Sequence, residues 1–241
     1  MRGGQQQHHQ PIPDGGMLTR EQRWGALEQR GMTVWFTGLP AAGKTTLAAA
    51  VEERLVLAGR SAYHVDGDRL RTGLSADLGF GEQARNENVR RAAEVARMLA
   101  DGGAVALVSL VSPYAAARLR ARELHERSDL RFLEVFLATP LRECERRDPK
   151  GLYARARRGE LQGMTGVDDP YEPPRAAELE LPGDDTLASS VAQVIELVAA
   201  SEHVWPVATP SQSPVEPPST AQLLWAEGSW FGGEAGYGAA V

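Results

Sequence analysis

Lysine is almost missing from this chain. Of 26 basic residues among 241, only Lys44 and Lys150 are lysine, and the other 24 are arginine. That bias, with abundant Ala and Gly, reads as genomic composition, yet it leaves open why two positions keep an ammonium. Cysteine is nearly as scarce. Cys144 stands alone, which excludes an internal disulfide and a multi-cysteine metal site and makes a reducing, cytoplasmic setting the expectation. No apolar run approaches the roughly 20 residues of a membrane span. The first 17 residues (MRGGQQQHHQPIPDGGM) have no apolar stretch of the kind a secretory signal needs. A basic surplus is also lacking: the formal net charge is −6, which argues against general binding to nucleic acid or to a bilayer.

What is present suits one soluble globular domain with tails, at 42% hydrophobic and 24% charged residues. Residues 1–18, rich in Gln, Gly, Pro and His, read as a disordered N-terminal tail. Residues 19–30 predict a short polar helix, with Thr19 as cap, Gln22 as its capping-box partner and Gly31 as its stop. From Thr33 strands and helices alternate. The strands are TVWFT (33–37), SAYHV (61–65), AVALVS (104–109), FLEVFLA (132–138) and an edge or parallel strand ELEL (178–181). The helices are 45–58, 82–101, 114–127 and a last one through Leu187, Val191, Val194, Ile195 and Val198. The strands show no strict alternation, as expected where helices cover both faces. This succession predicts an α/β fold with a parallel sheet. Residues 201–241 hold five Pro, five Gly and three of the five Trp but no Lys or Arg, and read as a disordered C-terminal tail.

The segment GLPAAGKTT follows a strand and opens a helix, and it fits G-x-x-x-x-G-K-[ST]. The candidate ATP-binding residues are therefore Gly38, Leu39, Pro40, Ala41, Ala42, Gly43, Lys44, Thr45 and Thr46. A Gly-rich turn aims backbone N–H groups at an anion, and the helix N-terminus adds partial positive charge. Lys44 reaches the β- and γ-phosphates, where a planar guanidinium is no equivalent. The Thr45 hydroxyl is placed for Mg²⁺. The pattern implies nucleoside triphosphate binding and leaves the acceptor open.

The second strand runs into DGDRLRTGL. Asp66 and Asp68 thus sit where open α/β sheets bind ligands. One carboxylate suits Mg²⁺ and the other a proton from an attacking hydroxyl; a turn with a helix cap is the alternative. In the stretch 148–174 four Gly and the cations Lys150, Arg155, Arg157 and Arg158 stand among few apolar residues. It reads as a lid that closes to exclude water.

These segments, with DLGF, RNENVRR, SLVSPY, RDPKGLYARARRGE and TGVDDPYEPP in order, resemble adenylyl-sulfate kinase over roughly 19–200. The resemblance implies a three-layer P-loop NTPase fold, a five-stranded parallel sheet flanked by helices with a lid segment. It implies transfer of the ATP γ-phosphoryl group, with Mg²⁺, to the ribose 3′-hydroxyl of adenylyl sulfate, and a homodimer. It gives Lys44, Asp66, Asp68 and Ser112 as catalytic-site residues. Arg71, Phe80, Arg85, Asn88, Val111, Ser112 and Lys150 become substrate-binding, with Phe80 stacked on adenine, and Thr45 and Asp68 serve the metal. Asp68 is the expected base or orienting group. A serine matching Ser112 is described in this family as a phosphorylated intermediate; Ser-Pro before a helix also reads as a cap with proline at the first helical position, and we favour that role with direct transfer. The chain departs from the family at Pro40 and Ala41, where Ser and Gly are usual, at Arg69 in place of Asn, and at Met164 in place of a lid aromatic. Arg69 and Met164 keep one rival reading open, a P-loop kinase for another nucleotide or metabolite; the Trp-bearing tail keeps a second, an ATP-responsive binding module that engages a partner.

Overall fold

The computed structural model describes residues 18–203. The proposed tails at 1–18 and 201–241 thus lie almost entirely outside the described residues. Five strands form the sheet: β1 (Met32–Thr37), β2 (Ala62–Asp66), β3 (Val105–Ser109), β4 (Arg131–Ala138) and β5 (Leu179–Pro182). Their order is β2-β3-β1-β4-β5, and every pairing is parallel. The expected α/β fold with five parallel strands is what the chain adopts, and ELEL supplies its parallel edge strand.

Eight helices lie among the described residues. α1 (Arg20–Ala26) starts with the predicted capping box, Thr19 and Gln22 each accepting from the other's backbone N–H. It stops before Gly31 because Glu28 turns to φ 48°. The side chain of Gln29 then donates to the carbonyls of Ser61 and Gly103. On one face of the sheet, α2 (Lys44–Leu57) and α8 (Leu187–His203) pack against each other. They bury Leu47, Val51, Val194 and Val198 with Val34 and Phe36 of β1. On the other face α4 (Glu82–Asp101) and α5 (Ala115–Arg127) bury Ala92, Ala96 and Ala121 against Trp35 and Phe132. Neighbours in β1 thus point into two separate cores, which is why every residue of the strand is buried.

Three short helices are not visible in the sequence pattern: α3 (Gly67–Arg71), α6 (Leu141–Arg147) and α7 (Leu152–Arg157). At five to seven residues each, they are too short for an apolar period to emerge. Two expectations are corrected. Residues 148–174 were expected to carry few apolar anchors. In the structure Tyr153 and Met164 are buried in the α2-side core, and Leu152, Ala156, Leu161 and Val167 pack on it. The apolar residues are spaced along α7 and the loop after it, with arginines between them facing outward. The Ser112 cap is the second correction. α5 begins at Ala115 after Tyr114, with Glu172 Oε2 accepting from the Ala115 N–H at 2.7 Å. The cap comes from 57 residues away in sequence, where no local motif can reveal it.

All strands are parallel, so the loops after β1, β2 and β3 and the segments leaving β4 and β5 converge on one edge of the sheet. That edge carries the site.

Candidate active site

The phosphate loop wraps between β1 and α2. Gly38 has φ 149°, and a Cβ there would lie 2.7 Å from the Leu137 carbonyl oxygen, so only glycine fits. Ala41 sits at φ 61°, a left-handed conformation that costs a residue with a Cβ roughly 1–2 kcal/mol. The departure at that position thus strains the loop without unfolding it. Pro40, which brings no N–H donor, uses its carbonyl to accept from the Tyr153 hydroxyl at 3.0 Å. Lys44 is buried, and its ammonium donates to the carbonyls of Gly38 and Leu39 at 2.9 and 2.8 Å. Burial pushes its pKa down to about 8.

The two aspartates of DGD have different surroundings. Asp66 is buried. Its Oδ2 accepts from the hydroxyls of Thr45 and Ser109, both at 2.9 Å, and its Oδ1 accepts from the N–H groups of Asp68 and Arg69 at 3.0 and 3.1 Å. Burial alone raises this carboxyl, but the donors from Thr45, Arg69 and Ser109 outweigh it and hold the pKa below the usual range. Asp68 is exposed and pairs with Lys150. The carboxylate beside Thr45 is thus Asp66, where the sequence reading placed Asp68. The reason is geometric: Asp66 ends β2 and caps α3, whereas Asp68 lies one residue into α3 and turns outward. Arg69 contributes its backbone N–H to Asp66 while its side chain is exposed, so the usual Asn is not needed for that contact.

A cavity of about 730 Å³ joins these groups to a second cluster. Phe80 is 69% exposed, with the Arg71 guanidinium 4.4 Å above its ring centroid. Burial and the neighbouring Arg85 charge both lower the Arg71 pKa, and the Asp68 carboxylate offsets them only in part. Arg85 and Asn88 lie on the same face of α4. Arg85 binds Thr165 and the Gly163 carbonyl and lies 3.3 Å from Asp169, so it clasps the 163–169 segment. Asn88 also lines the cavity and is buried with its Oδ1 unpaired. Lys150, Val111 and Ser112 line the same space, and Met164 lines it from the lid side.

Ser112 sits at φ 39° and is buried. Its hydroxyl accepts from Trp35 Nε1 at 3.1 Å and donates to Thr37 Oγ1 at 2.9 Å. The Ser112 carbonyl accepts from Arg118, which also donates to the Glu172 carbonyl and pairs with Glu134, at 2.7, 2.6 and 2.7 Å. Arg118 and Glu134 went unrecognised in the sequence because an Arg on an Arg-rich helix looks like a solvated charge. The far end of the cavity was missed as well. There Thr139, Arg147, Pro182, Gly183 and Asp185 make a second lobe. Arg147 donates to the carbonyls of Ala42 and Gly183 at 3.4 and 3.0 Å, tying the phosphate loop to the end of β5.

The buried ammonium makes nucleotide binding depend on pH. In the free protein Lys44 loses its proton near 8, while a polyphosphate holds that proton in place. Binding therefore takes up a proton above that pH, and affinity falls as pH rises through it, by up to about tenfold per unit. Calorimetry at pH 9 in buffers of different ionisation enthalpy should show proton uptake and a weaker Kd than at pH 7. An affinity flat across this range would refute the assignment.

The comparisons with known proteins agree with this geometry. The adenylylsulphate kinase family profile matches residues 30–182. The adenylyl-sulfate kinase of Saccharomyces cerevisiae is 46% identical over 187 residues, spanning 78% of this chain and 93% of the relative. That of Klebsiella pneumoniae is also 46% identical, over 78% of this chain and 92% of its own length. The structure of the Mycobacterium tuberculosis APS kinase CysC in complex with AMPPNP and APS superposes with a TM-score of 0.70 at 50% identity, covering 71% of this chain and 99% of that one. A likeness of this extent, running through the phosphate loop, the DGD turn and the 148–174 segment alike, places the chain in the adenylylsulphate kinase family.

Proposed function

We propose that this protein transfers the γ-phosphoryl group of ATP to the ribose 3′-hydroxyl of adenylyl sulfate, giving 3′-phosphoadenylyl sulfate and ADP. The observation that carries this reading is the single cavity with two ends. The phosphate loop and the Thr139/Gly183 lobe take ATP. The Arg71, Phe80, Arg85 and Asn88 cluster takes a second nucleotide bearing anionic groups. The relatives named above carry the same activity in their names.

In this reading the amides of the 38–46 loop and the Lys44 ammonium hold the transferring phosphates. Among the described residues no cluster of His, Cys, Asp or Glu could cage a metal by itself. That fits Mg²⁺, which takes one or two protein oxygens and completes its shell with water and substrate phosphates. Thr45 would bind it, with Asp66 accepting the Thr45 proton and holding an outer water. Bound there with ATP, Mg²⁺ supplies charge neutralisation at the β- and γ-oxygens. Asp68 orients the 3′-hydroxyl and accepts its proton as the oxygen attacks the γ-phosphorus and ADP leaves. Phe80 offers its exposed ring to the acceptor adenine. Arg71, Arg85, Asn88 and Lys150 meet its ribose and its sulfate–phosphate anhydride. The Asp68–Lys150 pair and the Arg85 clasp must open to admit substrate, which makes 148–174 a lid hinged on its buried Tyr153 and Met164.

Ser112 already gives its proton to Thr37 and accepts from Trp35. That supports a role in shaping the acceptor loop, with transfer direct and without a phosphoserine. The unit that acts in this way is 19–200. A homodimer and a cytoplasmic location belong to the same proposal; no helix among the described residues is long and apolar enough to cross a membrane. The test is purified protein with labelled ATP, Mg²⁺ and adenylyl sulfate. The doubly phosphorylated nucleotide is expected, with Ser112→Ala retaining turnover. Transfer to a different nucleotide in its place, or ATP binding with no transfer to any acceptor, would overturn the assignment.

A further inference from the structure

One buried histidine has no part in the chemistry above. His64 lies on β2, two residues before Asp66, and is buried. Its backbone N–H donates to Glu52 of α2 at 2.8 Å, which locks the strand to the helix that carries Thr45. Its ring Nε2 is 2.7 Å from Ser109 Oγ, and Ser109 Oγ is 2.9 Å from Asp66 Oδ2.

The direction of each bond in this row follows from proton counting. The ionised Asp66 can only accept, so Ser109 spends its one hydroxyl proton on it. Ser109 must then accept from His64, so the neutral ring carries its proton on Nε2. Thr45 also donates to Asp66 Oδ2 at 2.9 Å. Its own proton is thereby committed to the carboxylate, and its lone pairs are left for another partner. The row His64 to Ser109 to Asp66, with Thr45 closing it from the other side, has a single consistent polarity.

We propose that His64 and Ser109 are positioning residues that hold Asp66 in the orientation that keeps the Thr45 lone pairs turned toward a divalent cation arriving with ATP. The idea rests on the reading of Thr45 and Asp66 as the cation-facing pair. No change of protonation is required; what matters is that the donor to Ser109 is present. Without it Ser109 is free to rotate, Asp66 loses one of its fixed donors, and its carboxylate can swing away from Thr45. Groups of this kind, one step behind the ligand, commonly set metal affinity without touching the metal.

The experiment is equilibrium binding of ATP by calorimetry, with and without Mg²⁺, to the full chain and to His64→Leu, His64→Gln and Ser109→Ala. The quantity read is the gain in ATP affinity that Mg²⁺ confers. In Ser109→Ala and His64→Leu that gain should shrink by on the order of tenfold, while binding of metal-free ATP stays as in the parent. Gln keeps a side-chain N–H donor, so His64→Gln should retain most of the gain. A gain unchanged in Ser109→Ala overturns the proposal, as does an equal loss of metal-free binding. Ser109→Ala removes one oxygen and decides the matter if His64→Leu fails to fold. A parent protein with no gain from Mg²⁺ overturns the cation pair and this proposal together. Because no acceptor is present, the result is independent of whether adenylyl sulfate is the substrate.

Discussion

Lys44→Ala should lower kcat/KM for phosphoryl transfer by roughly 10²–10³-fold, the usual cost of deleting one preorganised charge at a reacting centre. The ammonium is buried inside the loop against two carbonyls, so it is already at the place where phosphate charge will lie and needs little reorganisation. Lys44→Arg keeps the charge and should still lose most of the activity. A guanidinium is wider and planar, so it does not fit the space of the compact ammonium between the Gly38 and Leu39 carbonyls. The structure separates the two lysines. Lys150 has a side chain 60% exposed and pairs with the equally accessible Asp68, so Lys150→Arg has room and should be much milder. Steady-state rates for the three variants test this, and a loss below about tenfold for Lys44→Ala would contradict an electrostatic role.

The largest stability effect is expected at Arg118. Arg118→Met should lower the unfolding free energy by about 3–5 kcal/mol, since it leaves Glu134 charged in a buried place with a partner removed. Arg118 has 4% and Glu134 11% of its side chain exposed, and Arg122, the other nearby cation, is 3.8 Å from Glu134. Arg118→Met also frees the carbonyls of Ser112 and Glu172, so the acceptor loop loses its tie to the C-terminal end of the 148–174 segment. For a domain of this size the loss corresponds to a fall in Tm of roughly 10 °C. Differential scanning calorimetry reads it directly. Activity measured below the transition should show KM for the acceptor rising more than KM for ATP, because the phosphate loop is untouched. A Tm within about 2 °C of the parent would show that the pair contributes little.

The sequence by itself determined the sheet, the four longer packing helices and the phosphate loop. Each of these rests on a local rule: an apolar run bounded by turns, a 3.6-residue period, or glycines at fixed offsets. Gly38 and Lys44 could be read this way because strand, turn and helix are contiguous. The three short helices could not, since one or two turns give no period. Tertiary structure alone decided which DGD carboxylate faces Thr45, because Asp66 and Asp68 are chemically alike and only the end of β2 gives one of them buried donors. The cap of α5 was equally invisible, since Glu172 reaches Ala115 from across the site. The same holds for Arg118, one arginine of 24 in composition and a buried hub in space. Local patterns fix backbone conformation; the partners that charge and hydrogen bonding require are chosen only when distant segments meet at the carboxyl edge of the sheet.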